Sequence, residues 1–493
     1  MTAGDRAPKR GRTSRVMRVW LTRASKFSRE RVHAATVARW SWWPDKLPAV
    51  LQPRRRFDPS ESPRVAYYIW HFPVLSQTFV RREVEALRRH GASIEVFADG
   101  AEDVELLDEG DRGLLTTTRY LLPIDRRLLF RYQRQFRRER PLAYFHVYLF
   151  IMSRRYGLTK KLRRDRTLFE RTVYLAGHFR DAGIARVHSP WGDRSGFAAM
   201  LAAKLLGVPF SVQIRAHDLH DPAYHSALRE MLPSADFVIT NTQYNRPFIQ
   251  ALMKGSGTEI HTIYNGIKLS EFNPPARSIA NVAPVRILCV GRLIEQKGLT
   301  YLLDACALLR ARNVPFTCDV IGGTEEPLYT EYWERLKERH RDLRLEGLVF
   351  FRGARAFAAI MDAYRAADIF VLPCVVARDG RRDITPNAVI EAMAMKLPVI
   401  STPITGVVEI VEHGTSGLLV PPENSVALAD EIERLTRNRA LATRLGENAR
   451  KRVESRFDAD KNVVERLRLF ALSHAKPSEP PAEPAMQVSW QRS

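Results

Sequence analysis

Between Arg64 and Leu472, short apolar runs alternate with amphipathic helical stretches, and the whole alternation occurs twice. The first series has predicted strands at Arg64–Trp70, Ser93–Ala98, Ala185–Ser189, Pro209–Arg215, Asp236–Asn241 and Ile260–Tyr264. The second has them at Arg286–Val290, Phe316–Ile321, Leu348–Phe351, Ile369–Pro373, Pro398–Thr402 and Gly417–Val420. Helical periodicity fills the intervals, beginning with Gln77–His90 in the first series and Leu299–Arg310 in the second. Short strands that are apolar along their length are buried on both faces, which requires a parallel sheet covered by helices on each side. The proline-rich break Phe272–Pro284 separates the two series. The pattern therefore predicts an α/β chain of two doubly wound domains facing each other across a cleft. In such sheets ligands bind beyond the carboxyl ends of the strands, so the informative loops are those that follow each strand.

At 493 residues the chain is too long for one ordinary core. The expected organisation is a basic extension over 1–62, a first domain over 63–275 and a second over 284–458. A helix over 459–475 follows, and then a tail over 476–493 whose Pro, Ser and Glu content predicts disorder. The formal charge is +22. Residues 1–62 contribute 15 basic and 5 acidic side chains, and residues 124–171, a helical insertion in the first domain, contribute 15 and 4. Nearly all the excess charge thus sits in two short stretches that suit an anionic surface, although solvated helical faces would look the same. No zinc-finger, RNA-recognition or basic-zipper pattern is present, so nucleic acid is not expected as a partner. The longest apolar run, Pro141–Ser153, is too short to span a bilayer, and Arg6, Lys9, Arg10, Arg12, Arg15 and Arg18 interrupt any signal-peptide core. The four cysteines lie in or beside apolar runs with no paired metal-ligand spacing, as expected of reduced thiols in the cytoplasm.

Two stretches of the second domain carry chemistry. The first predicted strand ends at Gly291-Arg292, and Lys297-Gly298 precede the next helix. Glycines at a strand–helix turn let backbone approach a phosphate, and two cations in the loop stabilise a departing diphosphate. The second stretch runs Asp383-Ile384-Thr385-Pro386-Asn387, with Glu391 eight residues after Asp383 and one turn inside a helix. A loop carboxylate, a helical carboxylate and the free amides between them match sugar hydroxyls, ribose hydroxyls and phosphate in turn. Each pair also reads as an ordinary capped turn or a helix-surface carboxylate.

Taken with Pro398-Val399-Ile400-Ser401-Thr402 and Gly414-Thr415-Ser416-Gly417-Leu418-Leu419-Val420, these motifs resemble the GT4 family of retaining glycosyltransferases, which have the GT-B fold of two Rossmann-like domains. Tyr264-Asn265-Gly266-Ile267 and Phe272-x-Pro274 match the family's interdomain segment. The resemblance, to the bacterial exopolysaccharide type in particular, covers roughly residues 64–472. It implies donor binding by Gly291, Arg292, Lys297, Thr385, Pro386, Asn387 and Glu391, with Arg292 and Lys297 on the diphosphate and Glu391 on the ribose. Asp383 would stand near the transferred sugar, where relatives have Glu, and Ile384 replaces the usual glycine. In the first domain, His71-Phe72-Pro73-x-x-Ser76-Gln77-Thr78-Phe79 resembles an acceptor-side element. Ser76, Thr78 and Asp218 are candidates for that side, and His188 and His217 are catalytic candidates beside Asp383. Pro190 stands where relatives have a second histidine.

The implied activity is transfer of a sugar, with retention, from a UDP- or GDP-sugar to a glycan or polyprenyl-linked acceptor in surface or exopolysaccharide biosynthesis. It would need no cofactor and no metal, and would take place on an anionic membrane surface at the cytoplasmic face. The alternative is a non-catalytic sugar-nucleotide or glycan binding protein with a degenerate site, motivated by Pro190, Asp383 and Ile384.

Overall fold

The structure, a computed structural model, describes residues 63–74, 77–101, 109–153, 165–253, 255–275, 284–323 and 330–472. The expected basic extension at 1–62 and the tail at 476–493 lie outside them.

Seven strands form the first sheet: β1 Val65–His71, β2 Ile94–Gly100, β3 Thr118–Tyr120, β4 Arg186–Ser189, β5 Phe210–Ile214, β6 Phe237–Thr240 and β7 Glu259–Thr262. Their order is β3-β2-β1-β4-β5-β6-β7, and every pair is parallel. The second sheet holds β8 Val285–Val290, β9 Phe316–Ile321, β10 Val349–Gly353, β11 Ile369–Leu372, β12 Val399–Ser401 and β13 Leu418–Leu419. Its order, β10-β9-β8-β11-β12-β13, is again parallel throughout. In both sheets the chain starts in the middle, winds outward, and returns to wind the other way. That leaves a crevice at the carboxyl ends of β1 and β4 in one sheet and of β8 and β11 in the other.

β4, β5, β6 and β11 are buried at every position; β11 reads as an uninterrupted apolar run, whereas β4 and β5 also bury Arg186, His188, Ser189, Ser211 and Gln213. β3 was not foreseen. It is three residues long with two of them exposed, and it lies in a region whose periodicity reads as helix throughout. An edge strand so short carries no usable period.

The last described helix, Ala459–Leu472, follows the second domain in sequence but packs on the first. Ala459, Val463, Leu469 and Phe470 join the core built from Val65, Tyr67, Ile69, Val84, Leu87, Phe237 and Ile239. Phe470 meets the rings of Tyr67, His188 and Phe237 with centroids 6.3, 5.4 and 6.2 Å away. Polar contacts fix its register. Arg466 donates to Gln213 Oε1 at 3.0 Å and pairs with Glu83 at 3.0 Å.

Candidate active site

The loops after β8 and β11 meet at the crevice of the second sheet. After β8 the chain makes a tight turn, Glu295–Lys297, closed by Gly298 in the left-handed region at φ 65°. A Cβ there would collide with the carbonyl of Pro373, at the end of β11, so only glycine lets the two loops approach. The turn delivers Lys297 to Asp383. The two form an ion pair in which both side chains are largely withdrawn from solvent. Burial opposes the Lys297 charge, but Asp383 outweighs it together with smaller contributions and holds the ammonium above its ordinary pKa. The two motifs, 86 residues apart in sequence, therefore form one charged centre. Arg292 lies exposed in the same loop.

Ile384 does not distort its loop. Its backbone stays out of the positive-φ region and its side chain is buried. A glycine's freedom is not needed at this position. Helix Asn387–Ala394 follows, with Pro386 as the residue before its first turn. Glu391 lies inside this helix and is buried, as its apolar neighbours Ala392 and Met393 require. Its Oε2 accepts from the Tyr364 hydroxyl at 3.2 Å. Its Oε1 accepts from Arg82, at 3.0 Å, on helix Thr78–Arg89 of the other domain.

Sequence reasoning gave no sign of Arg82. It is 2 % exposed, with its guanidinium 5.6 Å from the ring of Phe272 and 5.7 Å from that of Phe357. An arginine in the middle of a polar helix looks like surface, and it is the second domain that buries it. Other contacts cross in the same way. Asn241 donates to the Thr385 hydroxyl at 2.7 Å, and Asn265 reaches Asn387 Oδ1 at 3.4 Å. Glu409 accepts from the Thr242 hydroxyl, the Gln243 and Tyr244 amides and the Tyr264 hydroxyl, all at 2.8–2.9 Å. Burial and then Glu409 push the Tyr264 phenol up to about 12.

The first-domain candidates fare less well. His188 is not at the cleft. It sits within β4, wholly buried, with Nδ1 2.9 Å from the Ser211 hydroxyl and its ring against Tyr67 and Phe470. Burial, then the cations Arg466, Arg186 and Arg215, hold it well below its ordinary pKa, so it is a neutral core side chain. Asp218 is also a correction. It is fully buried and accepts from the Gly192 amide at 2.8 Å and the Arg215 amide at 3.0 Å, which ties together the loops after β4 and β5. Both of its oxygens are held by backbone, so it braces the loops instead of facing an acceptor. His217 opens the short helix His217–His220, and its side chain lies outside the described set, as does Ser76 altogether. Thr78 is the first residue of its helix and is partly exposed.

Arg215, the residue after β5, is buried beside these loops. It donates to Pro190 O at 3.2 Å and to Glu83 at 3.2 Å, it bonds Asn265, and it lies 4.3 Å from the Phe79 ring. Burial draws its pKa down to about 10, against the pull of Glu83. A small cavity beside it is lined by Phe79, Glu83, Tyr264, Asn265, Asn462 and Arg466.

A fold of two doubly wound parallel sheets is shared with glycosyltransferases of known structure, and comparison with known sequences agrees. The model for a "Glycosyl transferase 4-like domain" matches residues 76–266, and that for "Glycosyl transferases group 1" matches 284–438. Together they span more than two thirds of the chain, which belongs to the group 1 glycosyltransferases and is an enzyme of that class. It is 28% identical over 414 residues to the amylovoran biosynthesis glycosyltransferase AmsK of Erwinia amylovora, covering 80% of this chain and 96% of AmsK. It is 26% identical to the putative colanic acid biosynthesis glycosyltransferase WcaL of Escherichia coli, over 75% of this chain and 89% of WcaL. Sucrose-phosphate synthase from Thermosynechococcus elongatus shares the fold with a TM-score of 0.62 at 19% identity, over 83% of this chain and 98% of its own. Anabaena HepE, solved with UDP and glucose, does so with a TM-score of 0.57 at 18% identity, over 83% and 100%.

Proposed function

We propose that this glycosyltransferase moves a sugar from a nucleoside-diphosphate donor to a lipid-linked glycan during assembly of a surface polysaccharide, with retention at the anomeric carbon. The observation that carries the reading is the convergence of Lys297 and Asp383 at the β8/β11 crevice, next to the amino end of the helix that holds Glu391. On this reading Lys297 and Arg292 take the diphosphate, helped by the free amides around Thr385–Asn387. Glu391 takes the ribose hydroxyls, and Asp383 faces the sugar. The bond from the anomeric carbon to the phosphate oxygen breaks, the acceptor oxygen bonds to that carbon from the same face, and the acceptor proton passes to the departing phosphate. The paired cations do the neutralising that a divalent ion does in other transferases, so turnover should survive EDTA.

AmsK and WcaL are named for amylovoran and colanic acid biosynthesis, which supports a glycan acceptor, and HepE was solved with UDP, which favours a uridine donor. The named relatives are all enzymes and give no support to a non-catalytic binder. Among the described residues no helix is long and apolar enough to cross a membrane. The reading is of peripheral attachment at the inner face, with the basic stretches and the Trp40, Trp42 and Trp43 cluster near Arg39 and Lys46 as contributors.

A thermal-shift panel of UDP-, GDP- and ADP-sugars tests the donor. A UDP-sugar is expected to raise the melting midpoint, because a ligand bound only to the native state stabilises it. No shift with any of the three would overturn the assignment of the site.

A further inference from the structure

Helix Pro141–Ser153 is apolar on every side and carries no Asp, Glu, Lys or Arg. Ala143, Tyr144, Val147 and Ile151 are buried against the first domain. The opposite face is open. Leu142 is 63 % exposed, Leu149 61 %, Phe145 55 % and Tyr148 41 %. Leu142, Phe145 and Leu149 follow one another at helical spacing and form a single stripe. A helix that is hydrophobic all round belongs in a core or in lipid, yet this one lies on the surface. A contiguous exposed apolar patch marks an interaction site.

Its neighbour supplies the charge. Helix Arg126–Glu139 ends one residue before it and holds six arginines and one glutamate. Phe130 on this helix is 65 % exposed. Arg126 pairs with Glu170 and Arg131 with Asp181, whereas Arg127, Arg134 and Arg138 are exposed and have no carboxylate partner among the described residues. The Lys204 ammonium lies 5.7 Å from the ring of Phe150, further along the apolar helix.

We propose that these two helices dock the enzyme on an anionic lipid bilayer, the apolar stripe entering the headgroup boundary and the arginines lying among acidic headgroups. The proposal rests on the peripheral reading above and places the contact on the folded first domain rather than on residues 1–62 alone. Thirteen residues give a helix of roughly 20 Å. The hydrocarbon core is about 30 Å thick, so the helix lies in the interface and does not span it. Charge decides the occupant. A second copy seated on this face would bring one arginine-rich helix against another, whereas acidic lipid complements both the charge and the apolar stripe.

The test is co-sedimentation of the full-length protein with phosphatidylcholine vesicles, with and without 30 % phosphatidylglycerol. The parent should bind the anionic vesicles only. Two triple variants, L142S/F145S/L149S and R127Q/R134Q/R138Q, should each lose at least tenfold in affinity, and deletion of 1–62 should leave clear residual binding. Neither triple touches the cleft, so UDP-induced thermal shifts should match the parent and show that the fold persists. Parent-like binding by both triples, or loss of all binding on deletion of 1–62, overturns the proposal while sparing the peripheral reading. No binding by the parent overturns both. A parent that elutes as a dimer, made monomeric by the apolar triple, assigns the face to a second copy and overturns it as well.

Discussion

The ammonium of Lys297 is held between two opposed influences, burial against its charge and Asp383 in favour of it. A donor diphosphate would supply a second negative partner, so the lysine is charged and in place before the substrate arrives. Lys297→Ala should lower turnover by about 10²–10³, the usual cost of losing one preorganised electrostatic contact, as measured by nucleotide release. The histidines predict a pH effect of definite sign. His146, His178, His188 and His220 are all held below their ordinary value, burial being the first cause in each, and His146 falls to about 4. In the unfolded chain these rings bind protons near pH 6.5, while the folded ones resist, so the unfolded state takes up more protons as pH falls. Stability present above about pH 6.5 is then lost below it. The melting midpoint should drop between pH 7 and pH 5, and His146→Gln should remove part of the drop. The loops that bring Lys297 to Asp383 were legible because each sits at a fixed offset from an apolar strand or a glycine turn. His188 was not, because a histidine at the end of a strand reads the same whether it faces a cleft or a helix packed over it.

At the scale of the element, strands were easy to read where both faces are covered and unreadable where they are not. β11, buried throughout, stands out in sequence, and β3 does not. Helix Ala459–Leu472 shows the same limit differently. Its existence follows from its periodicity, but its destination does not, since an amphipathic stripe does not say which core it completes. Phe470, 2 % exposed in the first domain, measures that attachment. Phe470→Ala should cost roughly 3–5 kcal/mol in urea denaturation, as for other buried aromatic truncations. An effect near zero would mean that the helix contributes little to the first core.

At the scale of the whole molecule, the two domains are joined by polar contacts that run through the candidate site itself: Arg82 with Glu391, Asn241 with Thr385, and Glu409 with the turn at Gln243. None was legible, because each depends on a partner more than a hundred residues away in sequence. Arg82→Met would leave the Glu391 carboxylate buried with only Tyr364 for support, and should cost on the order of 3–5 kcal/mol. UDP should raise the melting midpoint of this variant more than that of the parent, since ribose hydroxyls would satisfy the orphaned oxygen.

The return of the last helix to the first sheet has a consequence for how the molecule is made. On a ribosome the first domain's strands emerge early, but Val463, Leu469 and Phe470, which close their core, emerge only near residue 472. The second sheet and its helices, complete by Arg456, are contiguous and can settle as soon as they are synthesised. The domain translated first is thus the one finished last. For most of its synthesis the growing chain carries an apolar surface that, among the described residues, waits for helix Ala459–Leu472 to cover it.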